Sequence, residues 1–282
     1  MNVLKRVKKV ELRTKHLVDG LLQGSYHSVF KGRGIEFSDV REYAFGDDVR
    51  SIDWNVTARM DEPYIKEFIE ERDLTVYILF DISGSSFFGS DRSKHDANID
   101  LAASLMFAAI RNNDNCGLLL FSEDIEKFVP ARKGRKHILR LIREMIEHEP
   151  RHRGTNIKKG LMYLSRILKK RAIVFVISDF FDSGYGRYLR LLAHRHDVIA
   201  IHMRDKNELE MPDVGYVELE DSETGERVMI DTSNPTFRTD YKAHVRRHYY
   251  QVKKTMRKSK VDLITMTTEG FEVPLRKFFR RR

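Results

Sequence analysis

An aspartate and two serines spaced two apart, Asp81, Ser83 and Ser85, follow directly on the apolar run LTVYILF (74–80). In extended backbone, alternate side chains share one side. This spacing therefore predicts one carboxylate and two hydroxyls converging at the end of a strand. Two later segments offer groups of the same kind. GTN (154–156) supplies the hydroxyl of Thr155, and ISDF (177–180), at the end of the apolar run AIVFVI, supplies the carboxylate of Asp179. All five are hard oxygen donors. Such a set suits Mg²⁺, with Mn²⁺ or Ca²⁺ as alternatives, and does not suit zinc, which is held by Cys and His. The plainer reading is that the hydroxyls and Asp179 cap helices and turns. It needs independent coincidences in three segments.

Donors from three segments must be positioned by strand ends, and the hydrophobic pattern supplies them. LTVYILF (74–80), GLLLF (117–121), AIVFVI (172–177) and VIAI (198–201) read as buried parallel strands, and VDLITM (261–266) as the last strand. Residues 96–112 form a helix that is apolar almost all round. Ile138, Leu141, Ile142 and Met145, then Ile157, Leu161, Leu164 and Ile167, mark two amphipathic helices. Residues 185–196 read as another, and Asn234-Pro235 opens a long helix as its cap and first-turn proline. Residues 125–129 alternate like a hairpin partner, and 216–219 and 228–230 flank the turn SETG. Strands alternating with helices predict an α/β fold, a mostly parallel sheet with helices on both faces. Ligands bind such sheets beyond the carboxyl ends of the strands, near the point where strand order reverses. Upstream, residues 3–22 are weakly helical, 20–34 are punctuated by glycine, and 35–73 mix aromatics, acids and arginines around Trp54, as short strands and turns do. This divides the chain into residues 1–73, a helix and a small β-containing segment, and residues 74–282, the α/β domain with a C-terminal helical extension.

With Asp81, Ser83, Ser85, Thr155 and Asp179 in this order, residues 74–230 resemble the von Willebrand factor A-like fold and its metal-ion-dependent adhesion site. The resemblance implies that the five residues hold a divalent cation with one position left open for a carboxylate of a partner protein. A second resemblance is carried by GRGIEFSDVREYAFGDDVRSIDWNVTAR and PYIKEFIEERDL, and later by GLLLFS, VPARKGRKH, SDFFD and HDVIAI. These segments are similar to family 58 of the domains of unknown function, over about residues 30–280. That family implies a metal-dependent adaptor working with a MoxR-type AAA+ ATPase in assembly, maturation or stress response.

Composition narrows the remaining classes. Lys and Arg exceed Asp and Glu by 51 to 42, and the excess sits in residues 1–16 and 275–282. A nucleic-acid-binding domain would carry a basic face on its body; this body is near neutral. The basic ends suit an acidic partner or an anionic membrane surface. Leu275, Phe278 and Phe279 beside five basic residues could anchor the chain at a membrane or dock on the body. The longest apolar run, LAASLMFAAI, is too short to span a bilayer, and the N-terminus lacks the pattern of a secretory signal. A single cysteine, Cys116, excludes an internal disulfide and reads as inert core. These features suggest a cytoplasmic protein, peripheral at the inner membrane if the termini bind lipid. There is no phosphate loop of the GxxxxGK[ST] type, and Ser83 does not lie in a GxSxG elbow. A non-enzymatic module is therefore favoured over a Mg²⁺-dependent phosphoesterase using Asp81 and Asp179. Asp47, Asp48 and Asp53 could take a second metal, but pairing with Arg41, Arg50 and Arg59 is the more economical reading. His194, His196 and His202 are weak zinc candidates, two of them lying at a helix end.

Overall fold

A computed structural model describes residues 3–21, 35–60, 62–70, 74–87, 93–209 and 211–282. It divides the chain into two compact units, residues 30–74 and the remainder. The N-terminal helix thus groups with the α/β unit and not with the segment around Trp54. Most of the glycine-punctuated stretch 20–34, from residue 22 on, lies outside the described residues.

The smaller unit is an antiparallel pair, β1 (Ile35–Glu42) and β2 (Tyr64–Glu70), with a bulge between Phe37 and Asp39. Between the strands lie a 3₁₀ turn, Val49–Ser51, and a single helical turn, α2 (Trp54–Thr57). Of the three aspartates expected to pair with arginines, Asp47 does so with Arg41. Asp47 accepts both ends of the Arg41 guanidinium at 2.8 Å. Asp48 caps the 3₁₀ turn through the Arg50 amide, and Asp53 caps α2 and faces Lys66 at 3.6 Å. The partner of Asp53 is thus Lys66 and not Arg59.

In the larger unit six strands line up in the order β10-β7-β6-β3-β4-β5. They are β3 (Thr75–Asp81), β4 (Asn115–Phe121), β5 (Ile125–Arg132), β6 (Ile173–Ser178), β7 (Asp197–Arg204) and β10 (Asp262–Thr267). Every neighbouring pair is parallel except β4 with β5, the hairpin expected from the alternation in 125–129. β3, β4 and β6 are buried along almost their whole length, which is why their sequences are continuous apolar runs. Tyr77, Leu79, Leu119, Phe121, Val174 and Val176 face one side of the sheet. There they pack against α5 (Ile157–Ile167), α6 (Gly186–Arg195) and α8 (Pro235–Ser259). The opposite side is covered by α3 (Lys94–Arg111) and α4 (Arg135–Glu147), with α1 (Val3–Leu21) packed on both. α3 is buried on nearly every position. A short helix α7 (Lys206–Leu209) follows β7. β8 (Tyr216–Glu220) and β9 (Arg227–Asp231) form a separate two-stranded hairpin, and α9 (Glu272–Arg281) closes the described chain.

Both basic ends are tied to the body. Arg6 pairs with Asp96, Arg13 with Asp100, and Arg135 reaches Glu11 on α1. At the other end Leu275 and Phe279 are buried, and Arg282 meets Asp197 at 2.5 Å and Asp262 at 3.3 Å. The apolar stripe of α9 docks on the body, so the two readings left open for it resolve toward packing. Among the described residues no helix is long and apolar enough to cross a membrane.

Candidate metal centre

Strand order reverses between β3 and β6: the chain goes from β3 outward to β4 on one side and from β6 outward to β7 on the other. The carboxyl ends of these two central strands carry Asp81 and the Ser178-Asp179 pair. Sheet geometry therefore opens its one crevice where the two acids stand.

Asp81 is the last residue of β3 and is buried. Its Oδ1 accepts the Ser83 amide at 2.9 Å and its Oδ2 accepts the Ser178 hydroxyl at 2.6 Å. The chain does not continue extended. It turns at once into a 3₁₀ segment, Gly84–Phe87, which Ser86 pins by donating its hydroxyl to the Asp81 carbonyl at 3.1 Å. The turn brings the Ser83 and Ser85 hydroxyls to 3.2 Å of each other. The two serines do converge, but through a turn and not through the two-residue period of a strand. Gly84 is required there: its amide donates to the Arg153 carbonyl at 2.8 Å, and a Cβ would lie 2.1 Å from the Ser222 carbonyl oxygen.

Asp179 follows β6 and is buried beside Asp81. Its Oδ2 accepts Lys94 Nζ at 3.0 Å, and the same ammonium donates to Glu208 Oε1 at 2.5 Å. Lys94 and Asp179 are buried, and Glu208 completes the ion network at its partly exposed end. The next residue, Phe180, is fully buried with φ of 59°. A bulky side chain in the left-handed region costs of order 1–3 kcal/mol and is found where the surroundings hold it. Its amide donates to the Ser178 hydroxyl at 3.0 Å. His248 of α8 contacts the Asp179 carbonyl through Nε2 at 3.0 Å and stacks on Phe181. Thr155 lies in the loop before α5, where Asn156 caps the helix, and its hydroxyl donates to Glu223 Oε1 at 2.7 Å. Asp182, not Asp179, meets the start of α5, accepting the Ile157 amide at 2.9 Å.

The electrostatics are asymmetric. Burial, with the charge of Asp179 next, pushes the Asp81 carboxyl above the ordinary carboxylate range against the hydrogen bonds of Ser178 and Ser83. Burial would raise Asp179 as well, but the Lys94 ammonium holds it below that range. Lys94 stays protonated because Asp179 and Glu208 outweigh its own burial. Two buried acids thus face one fixed cation, and the carboxyl of Asp81 is left wanting a proton or a second cation.

The chemistry of the candidate donors, two carboxylates and three hydroxyls, all oxygen, suits a hard divalent ion; Asp81, Ser83 and Ser85 are tied together by hydrogen bonds, and Thr155 is tied to Glu223. Among the described residues no three His, Cys, Asp or Glu side chains gather as a metal-binding group. A site here therefore depends on Ser83, Ser85 and Thr155. The histidines first weighed for zinc lie on separate elements: His196 caps the end of α6, and His202 is buried in β7 against Phe180 and Tyr249. Burial keeps His202 neutral, with its pKa lowered to about 3. Cys116 is buried core, and burial pushes its thiol up. Sequence reading missed Lys94, Ser178, Glu208 and Glu223. Of these only Ser178, adjacent to Asp179, and Glu223, inside the SETG turn, carried any local signal.

Beside this crevice, residues of β7, α7 and α8 surround a cavity of about 680 Å³ lined by Arg204, Lys206, Lys242, Arg246, Tyr249 and Tyr250. It shares α7 with the site, since Glu208, the second acceptor of Lys94, stands between Lys206 and Leu209.

Strand order and the reversal point define an α/β protein with a mostly parallel central sheet flanked by helices. The chain belongs to the family described as protein of unknown function DUF58, which matches residues 39–251. It is 34% identical over 269 residues to the uncharacterized protein Rv1480 of Mycobacterium tuberculosis, covering 93% of this chain and 84% of that one. It is 23% identical over 135 residues to the uncharacterized protein YeaD of Bacillus subtilis, covering 48% of this chain and 31% of that one. Among solved structures it is similar to an aerotolerance-related membrane protein of Bacteroides fragilis, with a TM-score of 0.49 and 14% identity over 74% of this chain and 100% of that one. It is also similar to proximal thread matrix protein 1 of the mussel byssus, described with a zinc-occupied MIDAS motif. There the TM-score is 0.38 and the identity 21%, over 46% of this chain and 38% of that one.

Proposed function

We propose that this chain is a non-enzymatic interaction module whose crevice holds one divalent cation, Mg²⁺ by the chemistry of its donors, and through it engages a carboxylate of a partner protein. The observation that supports this reading is the pair of acids at the reversal point of the sheet, Asp81 and Asp179, with the Ser83 and Ser85 hydroxyls 3.2 Å apart in the turn that follows Asp81. When bound, the ion would supply a Lewis-acidic position that an Asp or Glu can fill. The chain's own residues do the rest. Asp81 and Asp179 provide charge, the hydroxyls provide neutral donors, and Lys94 keeps Asp179 ionised and oriented. Neutral hydroxyl donors leave the ion more electrophilic than an all-carboxylate cage would, which favours capture of an external acid.

The basic, tyrosine-lined cavity beside the crevice supports an acidic partner surface, since four cations there would meet further carboxylates around the one on the ion. The family resemblance names a MoxR-type AAA+ ATPase as the partner to try first, in the cytoplasm. The test is calorimetric titration of metal-stripped protein with Mg²⁺ and Mn²⁺, wild type beside Asp81→Asn. One ion per chain, lost in the variant with its fold retained, is the expected result. Equal binding by both proteins refutes the site.

A further inference from the structure

We propose that Glu223, at the tip of the β8–β9 hairpin, is the chain's own carboxylate for the cation site and occupies the place kept for a partner's acid. The inference rests on the metal-site reading above. It adds a residue that none of the site motifs contains and a reason for the hairpin to exist.

The hairpin is not part of the main sheet. Tyr216, Val228 and Met229 are exposed, so apolar burial of its strands gives it little reason to lie where it does. Its tip, however, is built against the site. Asp221 Oδ1 accepts the amides of Glu223 and Thr224 at 2.8 and 3.2 Å, a local turn that presents Glu223 outward from the hairpin end. The Ser222 carbonyl lies where a side chain on residue 84 would be, between Ser83 and Ser85, and only glycine admits it. Glu223 Oε1 then accepts the hydroxyl of Thr155, one of the five donors, at 2.7 Å. The tip thus touches two of the three site loops at once.

The charge environment of Glu223 favours a cation. Glu223 accepts the Thr155 hydroxyl and stands among the carboxylates of Asp179, Asp221 and Asp182. A carboxylate is a poor occupant of such surroundings unless positive charge joins it. With a divalent ion on Asp81 and Asp179, the same position becomes favourable. In that state Glu223 completes the ion's surroundings from within the chain, and an external acid must displace the hairpin tip before it can bind. The site of the isolated chain is then closed, and a partner opens it by competition between two carboxylates for one position.

The experiment uses the full chain and Mn²⁺ as probe. Free Mn²⁺ is followed by electron paramagnetic resonance, and water on bound Mn²⁺ by proton relaxation enhancement. Glu223→Gln keeps the shape and can still accept from Thr155, so loss of fold is not expected. It should weaken Mn²⁺ about tenfold and raise the relaxation enhancement, because water replaces the carboxylate. Glu223→Asp should fall between the two. Added acetate should lower the enhancement in Glu223→Gln and leave wild type almost unchanged. If Glu223→Gln matches wild type in affinity, enhancement and acetate response while Asp81→Asn loses Mn²⁺, Glu223 is not at the ion and the inference is wrong. If wild type binds no Mn²⁺, the metal-site reading fails and this inference falls with it.

Discussion

Lys94 decides how the two acids of the crevice behave. Its ammonium is shared between Asp179 and Glu208 in a buried setting. Removing one member of a buried ion network leaves the others uncompensated, at about 3–5 kcal/mol. Lys94→Met should therefore lower stability by about 3 kcal/mol in chemical denaturation. Because the ammonium also competes with a metal for Asp179, Mg²⁺ should restore a larger part of the stability of Lys94→Met than it adds to wild type. Equal Mg²⁺ effects on the two proteins would show that the lysine does not face the ion.

Asp81 carries the pH dependence. Its folded pKa is raised above the ordinary value of 3.8, so between the two values the folded chain holds a proton that the unfolded chain has released. Metal-free stability should fall as pH rises through that window, and Asp81→Asn should lack this component of the fall. Divalent binding in the same window expels the proton, so affinity should rise by up to about tenfold per pH unit until Asp81 ionises unaided. Calorimetry in buffers of different ionisation heat reads the proton release directly, and its absence would place the ion away from Asp81.

At the scale of elements, two short devices set the site: the 3₁₀ turn after β3 and the strained Phe180 after β6. Each redirects the chain immediately after a buried strand, so that Ser83, Ser85 and Asp179 point into the crevice and not onward along the sheet. The C-terminal helix shows the opposite economy. Its basic residues look like an arm in the sequence, but Leu275 and Phe279 are spent on the body. Leu275→Ala should cost about 2–4 kcal/mol as a core truncation. A midpoint shift far below that in a denaturant melt would mean the helix is not docked in solution. The same packing buries Leu275 and Phe279, two of the three apolar residues weighed as a membrane anchor.

At the scale of the molecule, a ligand bound only by the folded chain stabilises all of it. At an Mg²⁺ concentration 100 times its dissociation constant the gain is about 2.7 kcal/mol. Thermal melts should rise with Mg²⁺ for wild type and stay flat for Asp81→Asn. The six-stranded order also explains how Asp81 and Asp179 come to stand at neighbouring strand ends. β3 and β6 are separated by about 90 residues of chain yet lie side by side at the centre of the sheet. The charge of the ends is partly balanced by acids of the larger unit through Arg6, Arg13 and Arg282.

What the sequence by itself determined is everything written in local periodicity. Continuous apolar runs marked β3, β4, β6 and β7 because strands buried on both faces need no polar alternation. Spaced apolar positions marked α4 and α5, and Asn234-Pro235 marked the start of α8. The five candidate donors could be picked out because they follow apolar strands or precede a helix. Ser83 and Ser85 approach each other for a different reason than the one expected, since a two-residue period cannot reveal a 3₁₀ turn. Only the tertiary structure decided who neutralises whom. Lys94 meets Asp179 across 85 residues, and Thr155 meets Glu223 across 68. Those pairings follow from which strand lies beside which and where a hairpin tip comes to rest. A side chain's sequence neighbours fix its burial and direction; its partners across a crevice are set by long-range strand pairing, which leaves no period in the chain.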